Sequence, residues 1–170
     1  MLNDKRLLSI DPCGEGFGYA IFEGPEKLLD WGLKAGSDNR ECLRKAARLI
    51  RRYRPEVLVV EDTDARGCRR RPRAIRLIRS LLTLAASRSL LTRRISHRFV
   101  RSCFTEGEEP VKSEIALALV QRFPELGPYY SLRKRGEGED RLAIFDAAAF
   151  AYACYARSLK PLWPASHDDA

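Results

Sequence analysis

Only two histidines, His97 and His167, occur in the 170 residues, which excludes a histidine-rich metal site. Cysteine is present but unpatterned. Cys13, Cys42, Cys68, Cys103 and Cys154 are odd in number and scattered, and no CxxC pair occurs. That argues against a disulfide framework or a zinc site and for a reducing compartment. A membrane-spanning run is missing too. The most apolar stretch, AIFDAAAFAYACYA, falls short of the ~20 residues a span needs and carries Asp146 in its midst. The opening MLNDKRLLSIDP holds no apolar core of signal-peptide length. No internal repeat and no linker interrupts the chain. The expectation is one domain over 1–160, a loosely packed tail over 161–170, no membrane, and a cytoplasmic location.

What is abundant is positive charge. Lys and Arg total 31 against 23 Asp and Glu, a net +8, and most of the excess is arginine. A planar guanidinium fork suits phosphate, so nucleic acid is the partner to test first. The arginines are grouped. Arg66, Arg69, Arg70, Arg71 and Arg73 crowd one loop; Arg93, Arg94, Arg98 and Arg101 form a second group; Arg133, Lys134 and Arg135 form a third. Charge runs are most often solvated faces, but groups converging on one site would make a phosphate-binding track next to which DNA could associate, as on the nucleoid.

Hydrophobic periodicity gives the element order. RLLSI is an apolar run ending at Asp11, FGYAIFE is aromatic and β-branched, and KLLDWGLK completes an antiparallel meander of three strands. SDNRECLRKAARLIRRYRP reads as an amphipathic helix with Ser37 or Asp38 as N-cap and Pro55 beyond its end. EVLVVE is the clearest strand and ends on Glu61. A long helix is expected over roughly Ala74 to Leu91, then a strand over ISHRFVRSCF, a helix over VKSEIALALVQRF, a charged loop SLRKRGEGED, and a last helix LAIFDAAAFAYACYARSLK. Three strands, helix, strand, helix, strand and two helices make an α/β pattern, a meander feeding a parallel part. Trp31 and Trp163 read as core or tail anchors, and His97 as a surface or strand residue.

Three acids stand out by position. Asp11 and Glu61 each end a strand, and if those strands are parallel neighbours both carboxylates emerge at one sheet edge. Asp146 lies in an alanine-rich apolar helix, where a carboxylate is costly unless paired or metal-bound. Taken singly, Asp11 or Glu61 could be a helix cap, and Asp146 could face solvent. In combination, three oxygen donors suit Mg²⁺, with Mn²⁺ as a substitute.

The motifs LLSIDPCGEGFGYAIFE, VLVVED, RFVRSCF, EEPVKSEIALALV and FDAAAFAYA resemble, in order and spacing, those of the RuvC-type Holliday-junction resolvases of the ribonuclease H-like superfamily. The resemblance covers nearly the whole chain. It implies a ribonuclease H-like fold, a mixed five-stranded sheet (antiparallel meander plus parallel strands) flanked by helices. It also implies a homodimeric Mg²⁺-dependent endodeoxyribonuclease that cleaves branched or four-way-junction DNA with two metal ions, in DNA recombination and repair. Asp11, Glu61 and Asp146 fall on the family's metal-binding catalytic acids. Arg101 and Lys112, eleven residues apart, fall on two basic residues used near the scissile phosphate.

Two positions depart from the family pattern. A fourth ligand, normally three residues before the Asp-Ala pair, is replaced by Ala143. Asp140 is the substitute to consider, while Glu139 would lie about 10 Å along a helix axis from Asp146, far for ions ~3.5–4 Å apart. The aromatic wedge expected three residues after Glu61 is Asp64. The missing acid makes a catalytically weakened nucleic-acid-binding module of the same fold the main alternative. An actin-like ATPase needs two copies of such a domain, and 170 residues leave room for one. The apolar helix after Glu61, with Leu81, Leu82 and Leu84, suits dimerisation or simple burial.

Overall fold

The computed structural model describes residues 2–105, 110–134 and 139–156. Strands β1 (Arg6–Cys13), β2 (Gly16–Glu23) and β3 (Leu28–Ala35) form the antiparallel meander. Strand β4 (Val57–Glu61) lies parallel to β1, and β5 (Leu91–Ile95) lies parallel to β4, giving the sheet order β3-β2-β1-β4-β5. The fold is the mixed five-stranded sheet flanked by helices that the sequence pattern implies.

The central strands read as unbroken apolar runs because both of their faces are covered. Leu8, Ile10, Ile21, Leu58 and Val60 point into one core, closed by α1 (Asn39–Tyr53) and α2 (Pro72–Ser87). Leu7, Ala20, Phe22, Val57 and Val59 point into the other. That second face is covered by α3 (His97–Ser102), α4 (Lys112–Arg122), α5 (Gly127–Lys134) and α6 (Leu142–Ala156). Helix α6 is apolar all round because it is sandwiched between the sheet and α3 and α4.

Helix α1 starts where Asp38 accepts a 2.7 Å bond from the Glu41 amide, and it ends at Arg54, whose φ of 48° precedes Pro55. Trp31 is partly buried against the α6-side core, an anchor as expected, whereas Trp163 and the 161–170 tail lie outside the described residues. Among the described residues no helix is long and apolar enough to cross a membrane.

Three elements differ from the sequence expectation. Helix α2 stops at Ser87 rather than Leu91, because Ser89 turns to φ 58° and Leu91 begins β5. The strand expected over ISHRFVRSCF is a strand only through Ile95, after which Ser96 caps the Phe99 amide at 3.2 Å and α3 begins. β5 is an edge strand with mostly exposed side chains, so LTRRI shows no apolar alternation, while Phe99 and Val100 supplied a misleading apolar pair. Likewise Ser131–Lys134 of the expected charged loop ends α5. The apolar stripe of α2, Leu77, Ile78, Leu81 and Ala85, is spent inside the core rather than left as a free face.

Candidate active site

Strand parity and register bring the acids together. Leu7 pairs with Val57 and Ser9 with Val59, and continuing that parallel register sets Asp11 beside Glu61 at the carboxyl ends of β1 and β4. Both share parity with the residues facing α6. Asp11 pairs across the meander with Gly18. A Cβ on Gly18 would stand 2.3 Å from the carbonyl carbon and oxygen of Ala143, so the first turn of α6 rests directly on β2. One turn further on, Asp146 comes down near Asp11 and lines the same cleft as Glu61.

That cleft, of ≈600 Å³, is lined on its other walls by His97, Arg101, Val111 and Lys112. Lys112 sits in the first turn of α4, and its Nζ donates to Asp146 Oδ2 at 2.9 Å. Val111, the N-cap residue, has no side-chain oxygen to offer. The cap is therefore one-sided, Glu114 accepting from the Val111 amide at 2.9 Å.

Asp11 and Glu61 are almost fully buried, and one residue neutralises both. Arg70 donates from Nε to Glu61 Oε2, from Nη2 to Asp11 Oδ1, and from Nη1 to the Pro12 carbonyl at 2.9 Å. His97 Nε2 lies 3.4 Å from Glu61 Oε1. Burial pushes the Asp11 carboxyl up to about 7, against the pull of Arg70 and helped by the negative charge of Asp146. Burial also acts to raise Glu61, but the approach of His97 and the Arg70 charge outweigh it and hold that carboxyl below its ordinary range. Arg70 itself is held above its ordinary value: burial works against its charge, and Asp11 and Glu61 more than compensate.

The donor chemistry fits a hard divalent cation: Asp11, Glu61 and Asp146 all offer oxygen, and a positive group, the Arg70 guanidinium, already sits between the first two. Among the described residues no group of three or more His, Cys, Asp and Glu side chains is disposed to hold a metal ion.

Other site residues expected from the sequence fall into three places. Asp140 stands outside the acid cleft. Its Oδ1 accepts from the Gly14 amide at 3.2 Å, and it lines a second cleft of ≈610 Å³ beside the β1–β2 turn. Its charge, after burial, helps push the Cys13 thiol up to about 12. Of the first arginine group, Arg66, Arg69 and Arg71 are exposed. Arg73 is a structural tie, donating to the Gly14 and Gly36 carbonyls at 3.1 and 2.9 Å. Arg70, expected as one of a phosphate-binding group, has a side chain only 19% exposed and turned into the acids. Arg101 lines the acid cleft. The side chains of Arg133 and Lys134, and the whole of Arg135, lie outside the described residues. Asp64, at the wedge position, is exposed and paired with Arg94 at 2.6 Å.

Two residues of the cleft are placed otherwise than the sequence suggests: His97, expected as a surface or strand residue, opens α3 beside Glu61, and Arg70 of the arginine group turns inward. The Ser96 cap was the available signal for a helix whose first residue faces Glu61. Nothing in a run of arginines says which one turns inward, so Arg70 carried no such signal.

No family model matches the chain, and no curated protein matches it in sequence. Solved structures do resemble it. The Thermus thermophilus RuvC structure superimposes with a TM-score of 0.65 at 18% identity, covering 92% of this chain and 97% of that one. T. thermophilus RuvC in complex with Holliday junction substrate gives 0.63 at 18% identity, covering 92% and 97%. The Fowlpox virus resolvase with substrate Holliday junction DNA gives 0.56 at 18%, covering 91% and 99%. The chain therefore has the ribonuclease H-like fold of the RuvC-type junction resolvases along nearly its whole length.

Proposed function

We propose that the chain is a divalent-metal-dependent endonuclease that cuts phosphodiester bonds in branched DNA, with Mg²⁺ as cofactor and Mn²⁺ as substitute. The observation that supports this best is Asp11 beside Glu61 on the sheet face that α6 covers, with Asp146 of α6 lining the same cleft as Glu61, Lys112 and Arg101. The three carboxylates would hold the metal, which when bound activates water and stabilises the leaving oxygen. Lys112, tethered to Asp146, is placed to neutralise charge building on a phosphate in the cleft. Arg101, on α3, borders the same cleft and would fix the strand by its backbone. Exposed Arg66, Arg69 and Arg71 extend the basic surface past Glu61. The shared fold with proteins solved on Holliday junction DNA makes a four-way junction the first substrate to try. Cutting two strands calls for two copies of the chain, so a homodimer belongs to the proposal.

A second reading has its own observation. Arg70 already pairs two of the three acids, and the fourth-acid position is the buried Ala143, which favours a binding module with weakened catalysis. One experiment separates them. Purified chain is incubated with a labelled four-way junction and a matched duplex in Mg²⁺ or Mn²⁺, beside an Asp11→Asn variant. Junction nicking that disappears in the variant is expected. Tight junction binding without nicking in either metal would decide for the binding module.

A further inference from the structure

Among five arginines within eight residues, the loop after β4 sends one inward, and that one makes a charge-assisted contact to each of two buried acids. Every guanidinium nitrogen of Arg70 has a partner, Glu61, Asp11 or the Pro12 carbonyl. This is the geometry a resident cation would have, and two positive groups cannot share one gap between the same oxygens. We propose that Arg70 is a built-in competitor for the divalent cation, closing the acid site until a DNA phosphate draws the guanidinium away. The proposal rests on the metal-dependent reading above.

Arg69 and Arg70 line both clefts, and the second cleft adds Arg71 and Arg73, so a phosphate there would meet several guanidinium groups. The loop also holds Gly67 at φ 87°, where an added Cβ would meet nothing within 4 Å. Removing Arg70 with nothing in its place would leave two buried carboxylates facing each other, so its departure is favourable only in exchange for another cation. Metal entry and phosphate binding are then coupled, and by linkage each strengthens the other. Arg70 acts on the metal site as a positioning residue; it is not placed at the reacting atoms.

The test reads metal binding, not cleavage. Mn²⁺ affinity of the full chain without DNA is measured by calorimetry for wild type, Arg70→Lys and Arg70→Gln. A lysine ammonium lacks the planar fork that meets Glu61, Asp11 and the Pro12 carbonyl at once, so Arg70→Lys is expected to bind Mn²⁺ several-fold more tightly than wild type, and Arg70→Gln roughly ten-fold or more. Equal affinities overturn the competitor while leaving the metal reading intact. No Mn²⁺ binding in any of the three, with or without junction DNA, overturns both.

Should Arg70→Gln fail to fold, Arg70→Lys and a wild-type measurement decide. In ¹⁵N spectra the Arg70 Nε–H is expected to be protected from solvent exchange in the free protein and to lose protection when Mg²⁺ and junction DNA are added together. Protection that persists at saturating Mg²⁺ and DNA overturns the proposal.

Discussion

Gly18 and Ala143 are in direct backbone contact, and that contact seats the helix carrying Asp146 beside Asp11. A methyl group on Gly18 would lie 2.3 Å from the Ala143 carbonyl, backbone that cannot swing aside as a side chain could. Because Gly18 is the cross-strand partner of Asp11, the same substitution that lifts α6 also disturbs the acid site. Gly18→Ala is expected to destabilise the fold by about 1–3 kcal/mol, a lowering of the melting temperature of roughly 2–12 °C for a chain of this size. Metal-dependent cleavage should fall by more than the lost folded fraction accounts for. An unchanged melt would mean that α6 does not rest on β2.

The Asp11 carboxyl, raised by burial to about 7, makes both stability and metal binding depend on pH. A carboxyl with a folded value above its ordinary 3.8 binds a proton more tightly in the native state than in the unfolded one. Its contribution to stability is therefore complete below about pH 4 and is lost as pH rises through about 7. The metal-free chain should lose part of its stability across that window, and Asp11→Asn should flatten this part of the profile. A bound cation needs the carboxylate, so Mn²⁺ affinity should rise with pH up to about 7 and level off above it. Denaturant melts and Mn²⁺ titrations across pH 5 to 9 would read both slopes. An affinity falling over that range would contradict the assignment.

The triad was legible because it rests on signals that survive in one dimension. Asp11 and Glu61 end apolar runs, and strand parity alone then fixes which face they share. Asp146 interrupts an alanine-rich helix that must be buried on all sides. What was not legible depends on loop geometry. Arg70 differs from Arg69 and Arg71 only in where the turn after Glu61 directs it, and no local pattern encodes that direction. His97 was hidden because edge strand β5 has polar faces and α3 is only six residues long, so neither shows a full period. Asp140 is a ligand candidate only if its loop folds the carboxylate back, and in the structure that carboxylate accepts instead from Gly14 in the β1–β2 turn, 126 positions away.

Lys112 offers a separation of catalysis from stability. Its side chain is 57% exposed, and its pair with Asp146 is of the kind that contributes about 0–1 kcal/mol to folding. Lys112→Ala should therefore leave the melting temperature almost unchanged. Cleavage should fall by about 10²–10³, the scale expected when a positive group near a developing phosphate charge is lost. Junction affinity should weaken much less, since the other basic residues remain. If cleavage is unaffected, Lys112 is only a partner for Asp146.

Asp140 and Asp146 stand six residues apart and border different clefts, both lined by Arg70, and the two predict opposite outcomes. Asp146 borders the cleft with Glu61, so Asp146→Asn should abolish metal-dependent cleavage while leaving the chain folded, the amide being isosteric and the site partly open. Asp140 accepts one 3.2 Å bond from Gly14 and raises the Cys13 thiol, so its loss acts on the β1–β2 turn. Asp140→Asn should keep cleavage within a few-fold of wild type, because the amide oxygen can still accept from the Gly14 N–H. It should also lower the Cys13 thiol value and speed alkylation of Cys13 near pH 9. Cleavage measured beside the alkylation rate distinguishes the roles: a variant that reacts no faster and no longer cuts would put Asp140 among the metal ligands after all.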